Sequence, residues 1–171
     1  MKRLYLFRHA KSSHDNPSLS DLERPLNERG VMAANLMGQY LKRRKMRPDL
    51  ILCSPSVRTR QTLKCLKNQF TDPLSYEIVD PLYLAQPFTI MDILKKQDKD
   101  LNSVMIIGHN PAMNILAHDL NDGKNREDHK RLIEKFPTAA LAILDFPTEK
   151  WKKIDRKMAK LDQFICPKDL I

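Results

Sequence analysis

Two histidines of this chain stand where short apolar runs break off, each beside groups suited to anions. His9 closes "LYLFRH" next to Arg8, and His109 closes "VMIIGH" ahead of Asn110 and Pro111. A third run, "LILC", leads into "SPSVRTRQT" and brings Arg58. Guanidinium groups hold phosphate through charge-assisted, often bidentate hydrogen bonds. A neutral imidazole attacks phosphorus, and flanking arginines disfavour its protonated form. A second imidazole serves best protonated, donating to the equatorial oxygens as charge shifts in the transition state. Phosphoryl transfer therefore asks for both arginines and both histidines in one place, one imidazole attacking while the other stabilises.

Short apolar runs alternate with longer segments of helical period, which predicts an α/β fold with a mostly parallel central sheet between helical layers. The expected strands are 3–7, 50–53, 76–79, 104–107 and 140–145, with a last one near Trp151 to Arg156 lying antiparallel at an edge. A first helix follows "RPLNERG", capped by Asn27, with Leu26 stapled to Val31 and a stripe of Ala33, Leu36, Met37, Tyr40 and Leu41. Others begin near Pro55, after Pro87 and at Pro111, the last burying Ala112, Met113, Leu116, Ala117 and Leu120. Proline suits a first helical position, and the free N–H groups of the turn after Ser54-Pro55 and Asn110-Pro111 form weak anion sites. Ligands of open parallel sheets bind beyond the carboxyl ends of the strands, so the three ends carrying Arg8, His9, Arg58 and His109 are expected to share one cleft.

The 171 residues form one expected domain, 1–171, with 42% hydrophobic and 30% charged residues. No stretch reaches the roughly 18 apolar residues of a membrane span, and "MKRLYLFRHAK" reads as a first strand rather than a signal peptide. Cys53, Cys65 and Cys166 show no disulfide or ligand spacing, which points to a reducing cytoplasm. The net charge of +9 favours anionic partners, but the basic segments lack the repeated aromatic residues of a single-strand binding surface. Neither a nucleic-acid nor a membrane role is expected, and the protein is expected to be a monomer.

"LFRHAKS", "SPSVRTRQT" and "GHNP", in this order, resemble the histidine phosphatase superfamily, also called the phosphoglycerate mutase-like fold. With "RPLNERG" and "TAALAIL" the chain is most similar to the short branch of SixA-like phosphohistidine phosphatases, over Met1 to about Asp145. The resemblance implies that His9 is the nucleophile and forms a phosphohistidine intermediate that water hydrolyses. It implies a phosphate pocket of Arg8, Arg58 and His109, with no metal or organic cofactor. Ser12 occupies the family's hydroxyl position, and Asp15 stands where many members have an asparagine. The glutamate that protonates the leaving oxygen in many members falls in "EIVDPLYLAQP", at Leu84 or its neighbours; Asp15 and Asp80 remain as possible acids.

An alkoxide needs a proton donor, worth typically about 10²- to 10⁴-fold, whereas a phosphorylated imidazole leaves from a labile phosphorus–nitrogen bond. The expected substrate is therefore protein phosphohistidine, as on a phosphotransfer domain, admitted by short connections around the cleft. A broad small-molecule phosphomonoesterase and a non-catalytic phosphoprotein-binding module are the alternatives. Cys53 does not make a cysteine phosphatase loop, because four residues rather than five precede Arg58 and none is glycine. His14-Asp15, His118-Asp119 and His129 lack metal-ligand spacing.

Overall fold

The computed structural model describes residues 1–171. Six strands form one sheet: β1 (Lys2–Arg8), β2 (Leu50–Cys53), β3 (Tyr76–Ile78), β4 (Ser103–Gly108), β5 (Leu141–Phe146) and β6 (Lys160–Ile165). Their spatial order is β3-β2-β4-β1-β5-β6. The β3, β2, β4 and β1 pairings are parallel, and β5 runs antiparallel to both β1 and β6. Helices α1 (Glu28–Arg43) and α2 (Val57–Lys67) cover one face, and α3 (Pro87–Lys95), α4 (Ala112–Leu120) and α5 (Arg126–Glu134) the other.

Each central strand carries an unbroken apolar run, Leu4–Phe7, Leu50–Cys53 and Val104–Ile107, because both faces are buried. Leu4 and Leu6 of β1 enter the layer holding Ile90, Met113 and Leu132. Tyr5 and Phe7 enter the opposite layer with Met37, Leu41 and Leu63. The α1 helix starts where Asn27 Oδ1 accepts from the Gly30 N–H at 2.8 Å. Gly30 has to be glycine, since a Cβ there would stand 2.1 Å from the Lys11 carbonyl oxygen. That close approach pins the segment after β1 against α1.

Three local expectations need correction. Trp151–Lys153 is a 3₁₀ turn, and the last strand is Lys160–Ile165. Trp151 and Ile154, three residues apart, both reach the core, and the Trp151 indole N–H donates to the Leu101 carbonyl at 2.7 Å, a spacing that suits a helical turn. Neither proline occupies a first helical position: Ser56 caps α2, its Oγ accepting from the Thr59 N–H, and Pro111 is itself the cap of α4. Leu26 is buried in the core while Val31 stays exposed, so the expected staple is not what fixes the entry to α1.

Candidate active site

The strands β2, β4 and β1 are neighbours and parallel, so their carboxyl ends open on the same side. Backbone hydrogen bonds continue past the strand ends: His9 N–H donates to the Gly108 carbonyl at 3.1 Å, and Ser54 N–H to Ile107 at 3.1 Å. The Ala139 N–H, just before β5, donates to the carbonyls of Arg8 at 3.2 Å and His9 at 3.0 Å. The Phe136 carbonyl accepts from Arg8 Nη1 at 3.0 Å and Asn110 Nδ2 at 2.9 Å. These bonds fix the floor of a cleft of about 580 Å³ lined by Arg8, His9, Ser12, Arg58 and His109.

His9 is 7% exposed, and its Nδ1 lies 2.7 Å from the Ala10 carbonyl oxygen. A carbonyl can only accept, so the neutral ring carries its proton on Nδ1 and its lone pair on Nε2. Burial pushes the His9 pKa down to about 4, assisted by Arg58, Arg8 and Arg24 and opposed by the Ala10 carbonyl. His109, its ring centre 5.3 Å away, is pushed down to about 3 by burial, then by His9 and Arg58. Arg58 Nη2 stands 3.3 Å from His109 Nδ1 and can only donate, so the His109 proton sits on Nε2, 2.8 Å from Ser54 Oγ. His109 is thus a neutral ring in this structure, while the role expected of it, as a protonated donor, belongs to the transition state. Burial holds it neutral first and the neighbouring cations second, and an anion beside it opposes both.

Arg58, on the first turn of α2, is 3% exposed. Its Nη1 donates to the Asp21 carbonyl at 2.6 Å and its Nη2 to Asp21 Oδ2 at 3.0 Å. Asp21 also accepts from Arg24 Nη2 at 3.1 Å and from the Tyr83 hydroxyl at 2.5 Å. Tyr83's hydrogen bond, with those from Arg24 and Arg58, holds the Asp21 carboxyl well below the usual range. Arg24 Nη1 donates to Ser12 Oγ at 2.5 Å, and Arg24 lines the cleft with Lys11, His14 and Lys135. Asp21, Arg24 and Tyr83 were not read as site residues from the sequence. The available signal was the Ser20–Glu23 capping box, with opposite charges at Asp21 and Arg24 three residues apart.

The Nε atoms of Arg8 and Arg58 are buried and without a hydrogen-bond partner. Each is a charged donor that costs free energy until something accepts from it.

The proposed acids do not join the site. Asp15 is exposed on the loop, where its backbone N–H meets Ser13 Oγ, and Asp80 is exposed at the start of a 3₁₀ turn with its carbonyl accepting from Tyr83. Neither lines the cleft, whereas Leu84 does. No three His, Cys, Asp or Glu side chains cluster as a metal site.

The model of the histidine phosphatase superfamily (branch 1) matches residues 4–82, which carry Arg8, His9 and Arg58. An uncharacterized protein of Mycobacterium tuberculosis is 31% identical over 163 residues, 94% of this chain and 99% of that one. The phosphohistidine phosphatase SixA of Escherichia coli is 27% identical over 124 residues, 71% of this chain and 76% of its own. The crystal structure of the Agrobacterium tumefaciens protein assigned as SixA superposes with a TM-score of 0.82 at 32% identity, covering 97% of this chain and 98% of that one. Sequence, topology and the cleft at the three strand ends agree, and the chain belongs to the histidine phosphatase superfamily, in its SixA-like branch.

Proposed function

We propose that the protein is a phosphatase that removes phosphate from phosphohistidine on another protein, through a covalent intermediate on His9. One observation carries the reading: a neutral imidazole with Nε2 unprotonated stands in the same cleft as the guanidinium groups of Arg8 and Arg58. A phosphoryl group in the cleft is the anion that these two cations suit. His9 Nε2 attacks phosphorus, and the bond from phosphorus to the substrate nitrogen breaks. A phosphohistidine protonated on its other ring nitrogen departs as neutral imidazole, so no acid is required at the breaking bond. Water then attacks the phosphorus on His9, releasing phosphate and restoring the imidazole. As negative charge gathers beside His109, protonation of that ring becomes favourable, and it can donate to the phosphoryl oxygens.

The absence of a protonated carboxyl from the cleft favours this substrate over alkyl phosphates, because Asp21, the carboxylate nearest Arg58, is held ionised. Lys11 and Lys135 are exposed on the cleft wall and suit an acidic protein surface.

The test is phosphate release from a phosphohistidine protein by wild type and His9→Ala, with phenyl phosphate and a sugar phosphate alongside. Wild type is expected to release phosphate from the phosphohistidine protein, and His9→Ala to lose at least about a thousandfold. Hydrolysis of the esters alone would replace this reading with that of a small-molecule phosphomonoesterase. Phosphoprotein binding without release from any donor would make it a binding module.

A further inference from the structure

Leu84 is the one hydrophobic residue among the 13 that line the cleft, and it is 56% exposed. Its φ is +50°, a left-handed conformation that a residue with a bulky side chain adopts only when its surroundings enforce it. The enforcement comes from both sides. Leu82 is buried in the core, and Ala85 N–H returns to the Leu82 carbonyl at 3.4 Å. Tyr83 is tied through its hydroxyl to Asp21, and its ring meets that of His109 edge-on at 5.6 Å. Pro87 then starts α3. Glycine or asparagine would make this turn with less strain, so the leucine needs a reason beyond the turn.

We propose that Leu84 is the wall against which the leaving group rests, selecting a flat aromatic ring. This rests on the phosphohistidine reading and adds what recognises the imidazole. His9 lies at the buried floor, and the departing group leaves phosphorus on the side away from the attacking nitrogen, toward the mouth. The lining apart from Leu84 and Pro137 is polar or charged and suits the phosphoryl oxygens. Against Leu84 an imidazole face loses water to an apolar contact, whereas a sugar's hydroxyl groups would lose hydrogen bonds without replacement. The site thereby discriminates by the body of the leaving group as well as by its need for a proton.

The test separates the ring from the bond chemistry. Phosphoimidazole and phenyl phosphate carry a flat ring; phosphoramidate and acetyl phosphate do not. Leu84→Ala is expected to lower kcat/KM about tenfold for both ringed donors and to leave the ringless ones within about twofold. Leu84→Met, which restores an apolar contact of similar size, is expected to recover most of the loss. Equal losses on ringed and ringless donors, or no loss on either, overturn the proposal. If wild type cleaves phenyl and acetyl phosphate but neither phosphorus–nitrogen donor, the phosphohistidine reading fails. The role of Leu84 is then decided by the phenyl and acetyl phosphate pair.

Discussion

His9 donates its Nδ1 proton to the Ala10 carbonyl 2.7 Å away, which fixes Nε2 as the atom free to attack. Burial first, and Arg58 and Arg8 after it, push the ring's pKa down to about 4. The nucleophile of the free enzyme is thus unprotonated throughout the neutral range, and kcat/KM should stay flat from about pH 8 to about pH 5 before falling on an acid limb. Phosphoramidate-type donors that do not change charge over that range give the cleanest profile. In Arg58→Gln the limb should move to higher pH, because a cation that disfavours the imidazolium has gone. A wild-type limb near 6.5, the ordinary histidine value, would show that the ring is hydrated rather than buried. Arg8, His9, Arg58 and His109 were readable from the sequence because each ends or follows a strand, whereas Arg24 does neither. Asp21 was not, since its partners Arg58 and Tyr83 lie 37 and 62 residues further on.

At the scale of elements, the segment between β1 and α1 acts as a strap across the site. Ser12 forms an isolated bridge with Leu26, the Ser13 N–H donates to Pro25, and the Ser20–Glu23 capping box orders the turn that presents Asp21. Asp21 thereby sets where the Arg58 fork points, as a positioning residue acting through Arg58. Asp21→Asn should lower kcat/KM about tenfold, in keeping with the sensitivity of catalysis to small misplacements. In an Arg58→Gln background the same change should cost little, since the group it positions is absent. Additive losses in this double-mutant cycle would separate Asp21 from Arg58. The strands that hold the strap's neighbours were legible as unbroken apolar runs, α3 as a proline-marked segment, and α4 as another with the stripe expected. The final strand was misplaced because Trp151 and Ile154 supply apolar weight to a turn, while β6 mixes buried Leu161, Phe164 and Ile165 with Lys160, Asp162 and Gln163. Composition alone does not separate a half-buried edge strand from a buried turn.

For the whole molecule, placing two neutral imidazoles at the buried end of a sheet links stability to pH. The folded pKa values are about 4 for His9 and about 3 for His109, both lowered from 6.5. Below pH 6.5 the unfolded chain takes up protons at these positions that the folded protein does not, so folding stability falls as pH falls. The contribution is fully present above the unfolded value and lost through the window down to the folded ones, at up to about 1.4 kcal/mol per pH unit for each ring. Asp21, whose carboxyl is held below its usual range, contributes in the same direction but only once pH approaches its unfolded value of 3.8. Between about pH 6 and pH 5 the slope therefore belongs to histidine rather than to this carboxylate. Urea unfolding over that interval should show stability declining with acidification, and His9→Asn should make the decline shallower by about one proton's worth. The same slope with and without His9 would mean that this ring is protonated in the folded protein at mildly acidic pH. That outcome would also remove the neutral nucleophile on which the chemistry of the cleft depends.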